Sequence, residues 1–370
     1  MSADFKIKHS NSLCVVENER FWVKPVPLDK VGMLNPKNPK LFKIAGGKVG
    51  FFDIDVCSYD FKSNSLNLWR GSVINWLKKT KIRQIAEEKL HNIIEHRPNF
   101  AGLNMRDTHL MGIVNVTPDS FSDGGQFLNA EMAVQHASKL TKEGATIIDV
   151  GGESTRPGSK KISLKEESQR VMPVIKELSK NNTLISVDTR NPEIMHKALS
   201  KGAQIINDIS GFRNRRSVQV VADAFKKGLS PHVVIMHMQG EPDTMQVSPS
   251  YNFTPIDVYI YLEEQINLLI SAGLPKSSIV VDVGFGFGKS VSDNLRLIDW
   301  MPLFHGLGVP ILVGVSRKST IGKIDNDASV DMRLGGSLAL TLRSINAGVQ
   351  IIRSHDIQET MQAIKLWQAS

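Results

Sequence analysis

The chain has 370 residues, of which 41% are hydrophobic and 22% charged, a composition typical of a globular protein with a sizeable core. It contains no apolar run long enough to span a bilayer, and the first ten residues, MSADFKIKHS, lack the apolar segment of a signal peptide. We therefore expect neither a membrane protein nor a secreted one. Cys14 and Cys57 have no metal-ligand spacing and are expected to be free thiols in a reducing cytoplasm.

The formal net charge of +8 is concentrated in the first part of the chain. Residues 1–107 contain 18 Lys/Arg and 11 Asp/Glu, whereas the rest of the chain contains 27 and 26. A basic segment could contact nucleic acid or an acidic partner, but no nucleic-acid-binding motif accompanies it. A solvated basic surface is the better interpretation. A nearly neutral second part with local basic residues is also compatible with an anionic small-molecule substrate.

The first hundred residues contain two stretches typical of β-strands broken by Pro and Gly, SLCVVENERFWVKPVPL and KLFKIAGGKVGFFDIDVCSYDF. An amphipathic pattern follows over residues 71–96 and ends before Pro98. Its apolar residues at helical spacing are Ile74, Leu77, Ile82, Ile85, Leu90, Ile93 and Ile94. We predict one helix there and a small α+β extension over residues 1–107, with no recognisable chemistry of its own.

From residue 108 onward, short β-rich runs alternate with amphipathic helical patterns. We predict strands near 109–116, 145–150, 183–188, 203–207, 232–236, 279–283, 310–314 and 349–352. Eight strand-then-helix units in about 260 residues are typical of a (β/α)₈ barrel, an α/β fold that we predict over residues 108–370. A doubly wound open sheet is the alternative, although it rarely contains eight repeats.

Polar side chains follow the predicted strands, at the end of the barrel where ligands bind. They are Asn115, Asp149, Glu153, Thr155, Arg156, Asp188, Asn207, Asp208, His237, Asp282, Ser316, Arg317, Lys318, Arg353, His355 and Asp356. A single Asp after a strand is more often a helix N-cap than a catalytic residue. GFGFGKS, at residues 284–290, is a weak match to a phosphate-binding loop. Eight polar strand ends in register are much harder to explain by capping alone.

The chemistry of these side chains is of two main kinds. Asp188, Asn207 and Asp282 are short side chains on rigid strand ends, which suit hydrogen bonds to the edge of a flat, nitrogen-rich heterocycle. The second kind is cationic or can become so, and matches phosphate oxygens: Arg156, Lys318, Arg353 and His355. Asn115 could supply a ligand to Mg²⁺, which binds partly through substrate phosphate. Together they predict group transfer with a diphosphate leaving group.

MGIVNVTPDSFSDGG and IIDVGGESTRPGS resemble the two signature segments of the dihydropteroate synthases, enzymes of folate biosynthesis. SVDT, INDISG, MHMQGEPDTMQ, DVGFGFGKS, GVSRKS and RSHD follow in that family's order and spacing, so the resemblance covers about residues 108–370. It implies condensation of 6-hydroxymethyl-7,8-dihydropterin diphosphate with p-aminobenzoate to 7,8-dihydropteroate and diphosphate. It also implies that the C–O bond to diphosphate breaks first and that the neutral aniline nitrogen then attacks a delocalised pterin cation.

The resemblance further implies a role for each matching residue. Asn115 is expected to bind Mg²⁺, and the expected catalytic residues are Asp188, Lys318, Arg353 and Arg156. The expected pterin ligands are Asp188, Asn207, Asp282 and Lys318, and the expected diphosphate ligands are Arg353, Ser354 and His355. Thr155 and Arg156 are expected beside both the diphosphate and the p-aminobenzoate. The p-aminobenzoate slot is expected to form, when two mobile loops close, from Phe121, Thr155, Pro157, Phe287 and Ser319. Members of the family are commonly dimers, so a homodimer is expected.

Three residues depart from the family pattern. Val283 replaces a usual Pro, Thr320 a usual aromatic residue, and Ser354 a usual apolar one. None of these changes removes a charged ligand, so they bear on rate and affinity more than on reaction type. Residues 1–107 have no counterpart in the ordinary family and do not resemble the pyrophosphokinase sometimes fused to it.

Two alternative functions remain. A pterin-dependent methyltransferase barrel would keep the heterocycle ligands but has no use for STRPG, SRKS or RSHD. A non-catalytic pterin-binding paralogue would be favoured by loss of Asn115 or of the cationic ligands, and all of these are present.

Overall fold

The computed structural model describes residues 6–10, 20–28, 41–117, 126–154 and 161–369. Ahead of the barrel, five strands form a mixed β-sheet. Its strands are β1 Lys6–His9, β2 Phe21–Pro27, β3 Phe42–Lys43, β4 Gly50–Asp60 and β5 Ser65–Ser72. The strand order is β1-β5-β4-β2, with β3 also paired to β4. β1 pairs with β5 in parallel, and the other pairings are antiparallel. The two predicted β stretches correspond to β2 and to β3 with β4, whereas β1 and β5 were not predicted.

The prediction of one helix over residues 71–96 is wrong, because two helices occupy this segment, α1 Val73–Lys79 and α2 Arg83–Ile94. Thr80 leaves the helical conformation, with φ −71° and ψ 136°. Its Oγ1 accepts the backbone N–H of Ile82 at 3.3 Å. Ile85, expected on the apolar face, is 44% exposed. The residues that the two helices bury are Val73, Trp76, Ala86, Leu90 and Ile93.

Eight parallel strands form a closed barrel after the extension. They are β6 His109–Asn115, β7 Ile147–Gly151, β8 Ile185–Asp188, β9 Ile205–Asp208, β10 His232–Met236, β11 Ile279–Asp282, β12 Ile311–Val313 and β13 Ile351–Ser354. Neighbours in sequence pair with each other, and β13 pairs with β6, which closes the barrel. The predicted (β/α)₈ fold is confirmed, and the doubly wound open sheet is excluded.

Helices lie between the strands and cover the outside of the barrel. They are α3 Gln126–Glu143, α4 Leu164–Leu178, α5 Pro192–Ser200, α6 Arg215–Lys226, α7 Thr254–Ser271, α8 Val291–Asp299, α9 Ser319–Ile324, α10 Leu334–Asn346 and α11 Ile357–Ala369. Local sequence sets where several begin. α4 starts after a capping box in which Ser163 Oγ accepts the N–H of Glu166 at 3.2 Å. None of the helices in the described part of the chain is long and apolar enough to cross a lipid bilayer.

The inside of the barrel is apolar at its amino-terminal end and polar at its carboxyl end. Seven strands contribute a fully buried apolar layer of Met111, Ile147, Ile205, Val234, Val280, Leu312 and Ile351. Phe100 and Met105, which precede β6, pack against this layer and close that end. Because strand side chains alternate, residues two positions later face the same interior. These include Asp149, Asn207, Asp282 and Arg353, so the strand pairing gathers polar groups at one end of the barrel.

The extension packs on the side of the barrel through a shared apolar core. Trp22, Leu66 and Leu68 belong to the same buried cluster as residues of the barrel and its helices. Arg97 is 4% exposed, and its guanidinium donates to the backbone oxygen of His305 at 2.9 Å. Burial lowers the pKa of Arg97 to about 10. The extension is therefore joined to the barrel by buried contacts and not by a linker alone.

One of the two cysteines lies in this extension core. Cys57 is buried and forms no disulfide, as expected. Its thiol contacts the backbone oxygen of Trp22 at 3.6 Å. Burial raises the pKa of Cys57 to about 12, so the thiol is unreactive at neutral pH. Cys14 lies outside the described residues.

Candidate active site

An arginine whose side chain is 18% exposed lies between two aspartates in the mouth of the barrel. Arg353 Nε donates to Asp149 Oδ2 at 2.7 Å, and Arg353 Nη2 donates to Asp188 Oδ2 at 2.9 Å. Asp149 is fully buried and Asp188 is 8% exposed. The three residues come from β13, β7 and β8, so closure of the barrel brings together side chains that are far apart in sequence.

The carboxyl group of Asp188 titrates close to neutral pH. Burial raises the pKa of Asp188 to about 7, and the positive charge of Arg353 opposes this increase. The negative charges of Asp149, Glu167 and Asp208 add to it. A perturbed carboxyl group beside a cation in the mouth of a barrel is typical of a catalytic or binding site.

Asp282 and Lys318 lie on the other side of the mouth, where the charge of each acts on the other. Asp282 is 7% exposed, and its Oδ1 accepts the backbone N–H of Gly284 at 2.8 Å. Burial raises the pKa of Asp282, while that N–H and the charge of Lys318 oppose the increase. Burial lowers the pKa of Lys318 to about 8, and Arg353 adds to this decrease. Lys318 Nζ lies 4.0 Å from the ring centroid of Phe287, which places the predicted slot residue beside the predicted pterin ligand.

Lys289 shapes the loop that follows β11, a role the sequence did not predict. It is 3% exposed, and its Nζ lies 2.9 Å from the backbone oxygens of both Gly284 and Phe287. The same Nζ lies 3.0 Å from Nδ1 of His237. The ammonium group of Lys289 therefore binds the backbone of its own loop, GFGFGKS, which is not a phosphate-binding loop. Gly284 has φ +68°, and a Cβ there would lie 1.9 Å from the backbone oxygen of His237.

The residues at the end of β13 point in opposite directions. His355 Nδ1 lies 3.0 Å from Ser316 Oγ, and burial, followed by the charge of Arg353, lowers the pKa of His355 to about 3. His355 is therefore a neutral hydrogen-bonding group. Ser354 is buried, its Oγ lying 3.2 Å from Thr360 Oγ1 and accepting the backbone N–H of Asp356 at 3.1 Å. Because neighbouring strand residues alternate, the Ser354 side chain faces α11, away from the diphosphate position expected for it.

Asn115 and Asp188 approach each other at the ends of β6 and β8. Both strands pair with β7, where Gly151 lies opposite each of these residues. A Cβ on Gly151 would lie 3.7 Å from Asn115 Oδ1 and 3.5 Å from the Cβ of Asp188. Because Gly151 has no side chain, the space between the candidate metal ligand and the central carboxylate stays open.

The remaining predicted slot residues are only partly described. Ser319 is the first residue of α9 and is exposed next to Lys318. Phe121, Thr155, Arg156 and Pro157 lie outside the described residues, as does the rest of the loop at 118–125. The assignments made for these residues stay predictions.

Thr320 and Val283, two of the residues that depart from the family pattern, are both buried. Thr320 is buried, and its Oγ1 accepts from Asn294 Nδ2 at 3.0 Å. Asn294 Oδ1 in turn accepts the backbone N–H of Gly286 at 2.7 Å. Thr320 thus replaces an aromatic contact with a hydrogen-bond chain to the loop that bears Phe287. Val283 is fully buried in the barrel core.

Ion pairs around two arginines at the rim show which strand-end residues do not join the central cluster. Arg317 pairs with Asp356, with Nε 3.0 Å from Oδ2, so both side chains are engaged with each other. Arg190 links Glu153, at 3.1 Å, to Glu241 on another loop. The Arg190 contacts were not predicted, because its partners are dispersed along the chain and no local spacing connects them.

Residues 111–355 match the family of pterin binding enzymes. The dihydropteroate synthase of Escherichia coli strain K12 is 44% identical over 269 residues, which are 72% of this chain and 93% of that protein. The structure is also similar to Yersinia pestis dihydropteroate synthase with a sulfonamide drug complex, with TM-score 0.68, 38% identity and coverage of 74% of this chain and 98% of that one. For Xanthomonas albilineans dihydropteroate synthase with 4-aminobenzoic acid, the TM-score is 0.67 at 42% identity, with coverage of 73% and 96%. The family match begins after the extension.

Proposed function

This chain belongs to the dihydropteroate synthase family, and we propose that it condenses 6-hydroxymethyl-7,8-dihydropterin diphosphate with p-aminobenzoate, giving 7,8-dihydropteroate and diphosphate. The observation that carries this proposal is the grouping of hydrogen-bond acceptors for a heterocycle beside cations for a diphosphate, at one end of the barrel. The group consists of Asp188, Asn207, Asp282, Lys318 and Arg353. Acceptor and cation lie close enough to hold two parts of one small molecule.

In this proposal the pterin ring lies between Asp282 and Asn207. Asp282, oriented by the backbone N–H of Gly284, accepts N–H bonds from the aminopyrimidinone edge. Those bonds favour the ionised carboxylate against the effect of its burial. Lys318 supplies a donor next to Asp282, and Phe287 supports the lysine from the other side. The site thus pairs acceptors and donors in a pattern that a pterin matches.

The proposed reaction begins with loss of the leaving group. The C–O bond breaks, diphosphate departs with the bonding electrons, and the resulting pterin cation is stabilised by ionised Asp188. The neutral aniline nitrogen of p-aminobenzoate then forms the new C–N bond and releases its proton to solvent. Since the nucleophile is neutral and the electrophile strongly activated, the step requires no strong general base. Among the described cations, we assign Arg353 to the diphosphate, and neutral His355 is its second hydrogen-bonding group.

We propose Mg²⁺ as the cofactor, held by Asn115 and by the diphosphate of the substrate. Among the described residues, no group of three or more His, Cys, Asp or Glu side chains could hold a metal by itself. Asn115, the last residue of β6, contributes one amide oxygen at the carboxyl end of the barrel. Such a donor set fits an ion that keeps several waters and binds partly through substrate phosphate. When bound, Mg²⁺ neutralises charge on the leaving group.

The Mg²⁺ site is tested by Asn115→Ala. Because the substituted side chain offers no oxygen to the ion, we expect a higher Mg²⁺ concentration at half-maximal velocity, with the melting temperature unchanged. Activity should disappear in excess EDTA and return when Mg²⁺ is added. An unchanged Mg²⁺ requirement in Asn115→Ala would remove Asn115 from the site.

The reaction itself is tested with purified chain, pterin diphosphate, p-aminobenzoate and Mg²⁺. We expect equimolar 7,8-dihydropteroate and diphosphate, measured by chromatography and a diphosphate assay, and a strongly reduced rate for Asp282→Asn. Binding of pterin diphosphate in calorimetry without any product would instead identify a non-catalytic paralogue. Methyl transfer from a methylated folate to a corrinoid would identify the methyltransferase alternative. We also expect a homodimer, which light scattering after size exclusion tests directly.

A further inference from the structure

Asp149 is a fully buried carboxylate that binds two residues of the proposed substrate site at once. Its Oδ2 accepts from Arg353 Nε at 2.7 Å and from Asn207 Nδ2 at 3.1 Å. It lies on β7, two residues after Ile147 of the apolar layer, and faces the interior of the barrel. Neither the pterin nor the diphosphate was expected to contact it.

We propose that Asp149 is a positioning residue, which orients Asn207 toward the pterin and Arg353 toward the diphosphate. The inference rests on the proposed function, because it concerns the same site. It is carried by the two hydrogen bonds to one oxygen, since each of them fixes a different property of the site.

The first bond fixes the direction of the Asn207 amide. An amide has a donor and an acceptor on opposite sides, and a carboxylate accepts only from the donor. Nδ2 therefore faces Asp149, and Oδ1 is turned away as an acceptor. Without the carboxylate, the two orientations of the amide become similar in energy. Asp149 thereby makes Asn207 an acceptor for a ring N–H, of the same hydrogen-bonding kind as Asp282.

The second bond fixes the plane of the Arg353 guanidinium. Asp149 accepts from Nε and Asp188 accepts from Nη2, so two of the three guanidinium nitrogens are hydrogen-bonded to carboxylates. Because Asp149 holds Nε, the orientation of the guanidinium does not depend on Asp188 alone. The terminal nitrogens are then directed to the diphosphate, for which a rigid, planar fork is the appropriate donor.

Asp149 also acts on the charge of Asp188. The charged groups that act on Asp188 are Arg353 from β13, Lys318 at the N-cap of α9, Asp149 from β7, Glu167 from α4 and Asp208 from β9. The positive charges favour the ionised form of Asp188, and the three negative charges raise its pKa. Removal of the Asp149 charge should therefore lower the pH at which Asp188 ionises. An Arg353 side chain released toward Asp188 would shift this pH in the same direction.

The experiment compares Asp149→Asn with a matched control, Ser186→Ala. Ser186 lies directly opposite Asp149 in the pairing of β7 with β8 and is fully buried. Its Oγ has no hydrogen-bond partner among the residues that the structure describes. The control therefore changes a buried polar side chain at the same level of the barrel without changing the contacts of Arg353 or Asn207. Both proteins are compared with wild type for melting temperature and for kcat and KM from pH 5.5 to 9.

For Asp149→Asn we expect kcat/KM for pterin diphosphate to fall roughly 10- to 100-fold, the loss typical when the partner that orients a binding group is removed. The acid limb of its pH profile should move to lower pH, and KM for p-aminobenzoate should change little. Ser186→Ala should match wild type. Unchanged kinetics in Asp149→Asn would overturn the proposal. An equal loss for both substrates with the acid limb unmoved would also overturn it, because that indicates a general structural defect.

If Asp149→Asn does not fold, a neutron crystal structure of the wild type with bound pterin, which distinguishes the nitrogen and oxygen of the Asn207 amide, decides the question. The Arg353–Asp149 bond should persist, and Asn207 Oδ1 should face the ligand. An Asn207 amide in the opposite orientation, or an Arg353 detached from Asp149, would overturn the proposal. A wild-type protein that makes no dihydropteroate would instead refute the proposed function, so the two failures are distinguishable.

Discussion

Lys318→Ala tests the proposed pterin site most directly. Lys318 lies at the N-cap of α9, with its Nζ 4.0 Å from the ring centroid of Phe287 and its charge acting on Asp282. The substitution removes the ammonium group but leaves the backbone and the loop that bears Phe287. A pterin bound beside Asp282 would then keep an acceptor atom without its donor.

The expected loss follows from what Lys318 contacts. A buried partner left without its hydrogen bond costs about 1–3 kcal/mol. Loss of the contact between an ammonium and an aromatic ring costs about 0.5–1 kcal/mol when exposed and more when desolvated. Together we expect about 2–4 kcal/mol in transition-state stabilisation, which is roughly a 30- to 1000-fold decrease in kcat/KM. Asp282→Ala should cost a similar amount, since it removes the acceptor for the same edge of the pterin.

Steady-state kinetics with pterin diphosphate as the varied substrate measure this loss. Lys323→Ala is the matched control, because Lys323 is an exposed lysine on the same helix. Its kcat/KM should stay within about twofold of wild type, as expected for a surface substitution. If folded Lys318→Ala and Asp282→Ala both kept near-wild-type kcat and KM, the pterin site would be elsewhere.

Three further outcomes are expected. Burial raises the pKa of Asp188 to about 7, and its ionised form is proposed to stabilise the pterin cation. We therefore expect kcat/KM to fall about tenfold per pH unit below pH 7. A flat pH profile of kcat/KM from pH 5.5 to 8 would contradict this role. Deletion of residues 1–105 should lower the melting temperature or solubility, because it exposes the barrel surface covered by Trp22 and removes Met105 from the closed end, without removing a catalytic group. A stable, soluble truncated protein without activity would show that the extension contributes to the site. Sulfamethoxazole should inhibit competitively against p-aminobenzoate, because the motifs bearing Phe121 and Pro157 keep the family spacing and neither ring recognises the sulfonyl group directly. An inhibition constant far above the KM for p-aminobenzoate would indicate a resistant site.

The positions of the barrel strands could be predicted because parallel strands covered on both faces are continuous apolar runs. The same continuity hides which residues face the interior. For β13, the apolar run ends in Arg353, Ser354 and His355, and nothing in that order shows which side chains face the mouth. The pairing of Arg353 with Met111 of β6 decides it, and this pairing follows from closure of the whole barrel. The direction of the Ser354 side chain could therefore not be predicted from the local sequence pattern.

Local pattern was also insufficient where a residue contacts its own loop or interrupts a helix. Lys289 follows a glycine-rich segment that resembles a phosphate-binding loop, but its ammonium turns back to the carbonyls of Gly284 and Phe287. Thr80 carries no strong helix-breaking signal, yet it separates α1 from α2. In both cases tertiary packing selects between conformations that the sequence permits.

The charges in the mouth bear on how a diphosphate can bind there. Five carboxylates and three cations of the described structure lie in or directly beside the mouth: Asp149, Asp188, Asp208, Asp282, Glu167, Lys289, Lys318 and Arg353. Their formal charges give no positive excess, so a diphosphate entering alone would add uncompensated negative charge to a poorly solvated site, which is unfavourable. Mg²⁺ bound through the diphosphate and Asn115 would offset that charge, and it would do so without detaching Arg353 from Asp149. The lack of net positive charge among these described residues thus gives a physical reason for substrate and metal to bind as a pair, even though a single protein oxygen is proposed to hold the metal.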